Sequence, residues 1–565
     1  MPVSRRTFLS TLSAGAAGVA LGGGLSTLTA TAARAAGTPG DVVGKVTVGY
    51  QGWFACPGDG APINAWWHWS QNWGQAPSPS NNVIKAWPDS RAFARTYQTS
   101  YANLGNGSPA TLFSSYDQQT IDTHFLWMQQ NGCDTAALQR FDPNGSEGPT
   151  RDAITARVRS SAETHGRKFY IMYDVSGWTS MQSEIKADWT DRMSAHTASS
   201  AYARQSGRPV VGIWGFGFND DNHPWSPAVC ADVVNWFKSQ GCYVTGGVPT
   251  WWRPGTGDSR PGYLDVYHSF DMLSPWMVGR IGTAADADNF YTNATLPDLA
   301  DCQAHGIDYQ PCVLPGDLSA RQRAHGDFMW RQFYNMARAG VQSVYISMFD
   351  EFGEGNQIAG TAENQGQVPV GSGLLALDED GTACSSDYYL RLTADGGRML
   401  KGQLAVTATR PTPPVVGGGG GGGGGNPDLA LHRPVAESSH TQVYAAANAV
   451  DGDAASYWES ANNAFPQWLQ VDLGSVLTTR RIVLTLPPNP AWGARTQTIA
   501  VQGSTDGANF STVVGATGYL FDPATGNTAT LSYPSGATAR YLRLLFTANT
   551  GWPAGQASGF SVYAT

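Results

Sequence analysis

Through the larger, N-terminal part of the chain, short apolar runs alternate with stretches of helical period. The runs are Val46–Gln51, Thr135–Leu138, Phe169–Tyr173, Val210–Trp214, Tyr243–Gly247, Val266–Leu273, Tyr309–Leu314 and Val344–Met348. They are rich in β-branched and aromatic residues and mostly lack strict alternation, as expected of strands covered on both faces. Between them, Thr120–Gln130 is amphipathic and stops at Asn131-Gly132, and Phe328–Ala339 stops at Gly340, each a helix closed by a residue that tolerates a left-handed turn. Strands joined by helical crossovers predict a parallel α/β domain, with a closed (β/α)8 TIM barrel favoured over a doubly wound open sheet.

Pro411-Thr412-Pro413-Pro414 and the run Gly417 to Gly425 interrupt this pattern. A glycine run holds no fixed conformation, so 409–426 is expected to be a flexible linker. Beyond it the helical period is lost. Short strands at Trp468–Asp472, Arg481–Leu486, Thr498–Gln502 and Tyr541–Leu544, with turn signals such as Asp506-Gly507, predict an all-β antiparallel jelly-roll sandwich. The expected layout is 1–35 a targeting segment, 41–408 the barrel, 409–426 the linker and 427–565 the sandwich.

Composition narrows the partners. The formal charge is −9, from 35 Lys+Arg against 44 Asp+Glu, with no basic block to follow a phosphate backbone, which argues against nucleic acid. The chain holds 20 Trp although only 14% of its residues are charged. Indole faces suit the apolar faces of sugar rings, and large cores also bury Trp. Ser4-Arg5-Arg6-Thr7-Phe8-Leu9, an Ala/Gly/Leu stretch and Ala33-Arg34-Ala35 resemble a twin-arginine export signal with its cleavage site. A secreted protein without membrane insertion is expected. Of the 7 cysteines, Cys230 with Cys242 and Cys302 with Cys312 are near enough in sequence for disulfide loops, with buried thiols the alternative.

In a parallel barrel the loops after the strands converge on one rim. There the chain places Tyr50 and Trp53, then Gln139 and Arg140, Asp174, Trp214, Trp252, and Asp350-Glu351-Phe352-Gly353-Glu354. Burying carboxylates costs several kcal/mol, roughly, unless they are paired or used. Glycosidic cleavage needs two carboxyl groups, one to protonate the departing oxygen and one to assist at the anomeric carbon. Glu351 and Glu354 are the expected pair, on a loop that Gly353 and Gly355 allow to turn tightly. No cofactor is expected for such chemistry.

The segment Asp350 to Ile358 resembles the final-strand motif of the glycoside hydrolase family 71/99-like group. So do Gly49-Tyr50-Gln51-Gly52-Trp53-Phe54, Ser114-Ser115-Tyr116-Asp117, Gln139-Arg140-Phe141 and Gly246 to Trp252. The resemblance adds Asp117 to the substrate-binding set. It implies a retaining enzyme acting on α-linked glycans, α-mannan-like or α-glucan-like. Glu351 would draw the proton from the substrate's 2-hydroxyl and Glu354 would serve as acid, then base. Phe352-Gly353 departs from the family's Trp-His type pair, which leaves mannose specificity open. An inverting route with Asp350 or Asp174 as the second carboxylate also stays open.

The C-terminal unit resembles the discoidin, or coagulation factor 5/8 type C, fold, which includes carbohydrate-binding module family 32. The matching residues include Asn448 to Asp453, Tyr457-Trp458, Trp468 to Gly474, Gly503 to Gly507 and Arg540 to Leu544. His440, Tyr444, Trp492 and Trp552 are the expected sugar contacts, with Trp458 and Trp468 in the core. Many members hold a structural calcium, here expected at Asp451 and Asp453, although Gly559 stands where a glutamate would complete the site. The reading is a monomeric, secreted glycoside hydrolase tethered to a polysaccharide. The alternatives are a non-catalytic glycan-binding protein on a barrel scaffold and a lipid- or protein-adhesion module.

Overall fold

In the computed structural model, the described residues are 38–415, 428–431, 433–451, 456–487 and 489–564. The expected export signal and the glycine run lie outside them. The chain divides into two compact units, with the division at 418/419.

The first unit is built on a parallel sheet. Its strands are Val46–Tyr50, Thr135–Arg140, Lys168–Asp174, Arg208–Trp214, Tyr243–Pro249, Met272–Trp276, the segment 308–313 and Val344–Ile346. Each pairs with the next, and the last returns to the first through Val46↔Val344. The seventh strand is split into Asp308–Tyr309, which pairs with the sixth, and Cys312–Val313, which pairs with the eighth. Pro311 sits at the break, where it has no N–H to give to a ladder. The sheet therefore closes, and the fold is an eight-stranded (β/α)8 barrel rather than an open doubly wound sheet.

Two expectations are corrected. Val266–Leu273 is not one strand: Leu264–His268 is a short helix and the strand begins at Met272. An apolar, aromatic run of that length satisfies either geometry, so its period alone could not choose. All seven cysteines are buried free thiols, and burial pushes the thiols of Cys230, Cys242 and Cys312 up to about 12. The helix Asp327–Ala339 ends as expected at Gly340, whose φ is 77°. The first residues of the expected linker are held down: Arg410 Nε donates to Asp327 (2.8 Å), Thr412 Oγ1 to Asp395 (2.6 Å) and Ser385 N to Pro414 O (3.0 Å).

The second unit is an antiparallel sandwich. Its main sheet runs Val435–Glu437, Gln467–Thr485, Thr528–Asn549, Arg495–Ser504, Ser511–Phe521, and Gly559–Tyr563 also pairs with Gln467–Thr485. A separate ribbon joins Trp458–Glu459 to Gln556–Ala557. Alternate residues such as Leu469, Val471, Ile482, Leu484, Leu542, Leu544 and Phe546 fill the core with Trp458. Trp468 is not in that core: it is half-buried, with the Arg543 guanidinium 4.3 Å above its ring. No helix among the described residues is long and apolar enough to cross a membrane.

Candidate active site at the barrel mouth

Side chains alternate across a strand, so in a closed barrel every second residue faces the lumen and its neighbours face the outer helices. The register fixes which. Thr47 pairs in register with Thr135 and Tyr345, Gln139 with Met172, and Asp174 with Trp214. Gln310 Nε2 donates to Thr47 Oγ1 (3.1 Å) and Gln139 Nε2 to Met348 Sδ (3.8 Å) across the interior. Gln139, Asp174 and Trp214 thus face the lumen. Their sequence neighbours do not.

Tyr50 and Arg140 are the corrections that follow. Tyr50 is fully buried under the helix Gln118–Gln130, its Oη 2.9 Å from His124 Nδ1. Burial pulls that imidazole down to about 3, so the pair is neutral. Arg140 is 2% exposed and forks onto Asp188 (2.6 and 2.5 Å), with Asp152 at 2.8 Å. Tyr173 donates to the same Asp188 (2.9 Å). Arg140 therefore ties the outer helix to the strands, out of reach of a ligand.

Trp252 and Asp350 also leave the substrate-contact set. Trp252 is buried behind the fifth strand and donates to Asp298 (3.1 Å). Asp350 is fully buried and accepts the backbone N–H of Gln51 (2.8 Å) and of Gly52 (2.9 Å). Both of its oxygens are engaged in holding the end of the first strand to the end of the eighth. Burial lifts its carboxyl to about 7 against those two N–H donors. Asp117 is half-buried and bound by Tyr97 Oη (2.9 Å) and Arg95 (3.3 Å) at the start of its helix. Trp53 lies at the rim, stacked on His68 (3.9 Å) and facing Phe141 (5.7 Å).

The loop after the eighth strand presents the two glutamates differently. Glu351 is 3% exposed, and Gln51 Nε2 donates to its Oε2 (2.7 Å). Glu354 is half-buried and has no hydrogen-bond or ion-pair partner among the described residues. Phe352 anchors the loop between them in a cluster with Phe54, Trp69 and Phe113. A side chain at Gly353 would meet Glu351 Oε1 at 3.0 Å, and Gly355 takes φ 74° where a Cβ would meet Asp317 at 2.8 Å. Gly353 thus leaves room for the Glu351 carboxylate.

Sequence reasoning left Gln310 and Tyr345 out of the site. Trp276, Gln310 and Tyr345 line an interior hollow with Trp214, Met172 and Thr245. Trp214 and Trp276 meet edge to face at 5.5 Å, and Gly247 admits the Trp214 ring, since a Cβ there would lie 2.2 Å from it. A relay also runs along the rim: Asp220 Oδ1 is 2.7 Å from His223 Nδ1, His223 Nε2 is 2.9 Å from Ser176 Oγ, and Ser176 donates to Asp174 (2.6 Å). Burial raises the Asp220 carboxyl, but His223 outweighs it and holds the group below the usual range. Nothing in the spacing of Asp174 and His223 announces the relay.

In the second unit, Tyr444, Trp492 and Trp552 gather on residues 457–459. Tyr444 stacks on Tyr457 (4.4 Å), Tyr457 meets Trp492 edge-on (4.7 Å), and Trp552, 46% exposed, donates to Glu459 (3.1 Å). Glu459 also accepts from Gln556 (2.7 Å), which accepts from Arg495 (2.8 Å). His440 is exposed beside them and turns to Glu437 (2.6 Å). Asp451 accepts from Ser456 (2.7 Å), and Asp453 lies outside the described residues.

The F5/8 type C domain model matches residues 434–560. No curated protein sequence matches the chain. Among solved structures, the GH99 endo-α-mannosidase from Bacteroides thetaiotaomicron is similar at 15% identity, over 64% of this chain and 98% of that one, with a TM-score of 0.46. A chitosan-binding module 1 of the chitosanase/glucanase from Paenibacillus sp. IK-5 is similar at 30% identity, over 24% of this chain and 98% of that one (TM-score 0.20). Module 2 of the same enzyme, in complex with chitotriose, is similar at 28% identity over 24% and 99% (TM-score 0.20).

Proposed function

We propose that this protein is a glycoside hydrolase that cleaves α-linked glycans with Glu351 and Glu354, and that its F5/8 type C domain holds it on a polysaccharide. One observation carries the reading. Two carboxylates share a pinned loop at a barrel mouth, one buried and oriented by Gln51, the other half-buried without a partner among the described residues. That asymmetry suits a division of labour. The oriented Glu351 would assist at the sugar, and the uncommitted Glu354 would deliver and then withdraw the proton of the leaving oxygen. Asp174, with Trp214 and Trp276, would floor the site beneath the ring. The retaining route through the substrate's own 2-hydroxyl is the version we favour; of the two carboxylates that could serve an inverting route, Asp350 is spent on backbone amides, and Asp174 is left as the one alternative. On this reading the protein works outside the cell, exported by its N-terminal twin-arginine segment.

The test is release of reducing sugar from α-mannan and α-glucan by the full-length protein. Glu351→Gln and Glu354→Gln should each abolish it while leaving the fold intact. A chain that binds these polymers but never cleaves them would instead be the glycan-binding protein on a barrel scaffold.

A further inference from the structure

We propose that His268, Asp301 and His305 form a binding site for a first-row divalent cation, best suited to Zn2+, at the end of the barrel opposite the glutamate loop. The site is built from two helices. Asp301 and His305 stand one turn apart on Leu296–His305, and positions four apart share a helix face. His268 is the last residue of Leu264–His268. Both helices feed the starts of strands, the sixth and the seventh, so the group lies away from the rim that carries Glu351.

The donor atoms already converge. His268 Nε2 is 2.8 Å and His305 Nδ1 is 3.2 Å from the same oxygen, Asp301 Oδ1, and all three donor atoms lie within 4.8 Å of one another; His305 Nδ1 also lies 2.9 Å from the Asp301 backbone carbonyl, a contact it would give up to the ion. Zinc–ligand bonds of 2.0–2.2 Å in a tetrahedron put neighbouring donors about 3.3 Å apart. The two spacings to Asp301 Oδ1 lie within about half an ångström of that value. Two imidazoles with one carboxylate form a donor set that zinc and its neighbours prefer over calcium or magnesium. Among the described residues, this is the one group of three such ligands with this spacing.

Support and access are both present. Trp252, itself fixed by Asp298, packs edge-on against His268 at 6.0 Å, while the His305 ring, now stacked on His268 at 3.7 Å, would have to turn to aim its nitrogen at the same ion. Such backing limits the swing of a ligand ring. The His305 side chain is 44% exposed, so an ion can enter and keep water in its remaining positions. Bound there, it would clip the two helices together, and ligand binding to the folded state alone raises its stability.

The experiment uses full-length, tag-free protein freed of metal with a chelator. Calorimetric titration with Zn2+ should show one tight equivalent. His305→Ala and Asp301→Asn, both at solvent-reached positions, should each weaken it at least about tenfold. Co2+ should give visible absorption in the unaltered protein and lose it in both variants, and Zn2+ should raise the melting temperature only where the site is intact. Unchanged affinity in both variants, or no uptake at Zn2+ far above the protein concentration, would overturn the proposal.

Discussion

Gln51 Nε2 donates to Glu351 Oε2 at 2.7 Å, joining the end of the first strand to the loop after the last. The two residues are remote in sequence, and barrel closure makes them neighbours. A hydrogen bond to a charged group contributes about 1.5–3 kcal/mol. Gln51→Ala should therefore lower kcat/KM by roughly 10- to 100-fold, beyond any loss of melting temperature from removing a buried donor. Steady-state kinetics on α-mannan or α-glucan checks this, and an unchanged rate would remove Gln51 from the orienting role.

Asp350, one residue before, makes the opposite prediction, since it acts on the fold. Its carboxyl is lifted to about 7 by burial, whereas in the unfolded chain it titrates near about 4. Between these values the folded state holds the proton more firmly than the unfolded state. The stability Asp350 contributes is full below pH 4, roughly, and declines as pH rises through about 7. Denaturant titrations of the protein and of Asp350→Asn at several pH values should differ in slope across that window. Parallel curves would contradict the lifted carboxyl.

Arg140 and Trp276 separate fold from binding. Breaking a buried ion pair costs about 3–5 kcal/mol, so Arg140→Ala should unfold the barrel at markedly lower temperature. Trp276→Ala removes an aromatic wall of the lumen hollow and should chiefly raise KM, by about fivefold if about 1 kcal/mol of ring contact is lost. Calorimetry and kinetics on both variants distinguish the effects. A KM change confined to properly folded Arg140 variants would reverse the assignment.

His223 and Ser176 position Asp174 from behind. Ser176→Ala removes the 2.6 Å bond and His223→Ala cuts the relay one step further out. If Asp174 touches substrate, each change should lower kcat about tenfold, in the manner of a lost supporting hydrogen bond. The double variant should lose no more than the single ones, because both act through the same carboxylate. Additive losses would show two independent roles.

Trp552 offers a test of the second unit. Trp552→Ala in the full chain should release the protein from insoluble polysaccharide while hydrolysis of short soluble substrates continues at the same rate. A matching loss on both substrates would mean that Trp552 supports folding instead of adhesion.

The sequence by itself determined the barrel, the sandwich and the carboxylate loop. Strand cores such as Thr135–Leu138 and Val210–Trp214 are apolar enough to have one stable fate, and a loop with Asp350, Glu351 and Glu354 after an apolar strand is conspicuous at any register. Tertiary structure decided which strand-end residues face a ligand. Gln139 and Arg140 are adjacent and both polar, yet one looks into the lumen and the other pairs with Asp188 outside, because a one-residue step along a strand reverses the side chain. That parity is set by the register of closure, which no local run of residues encodes. The same holds for Tyr50 against His124, for the relay from Asp220 to Asp174, and for His268 beside Asp301: each joins residues that only the packing of separate elements brings within reach.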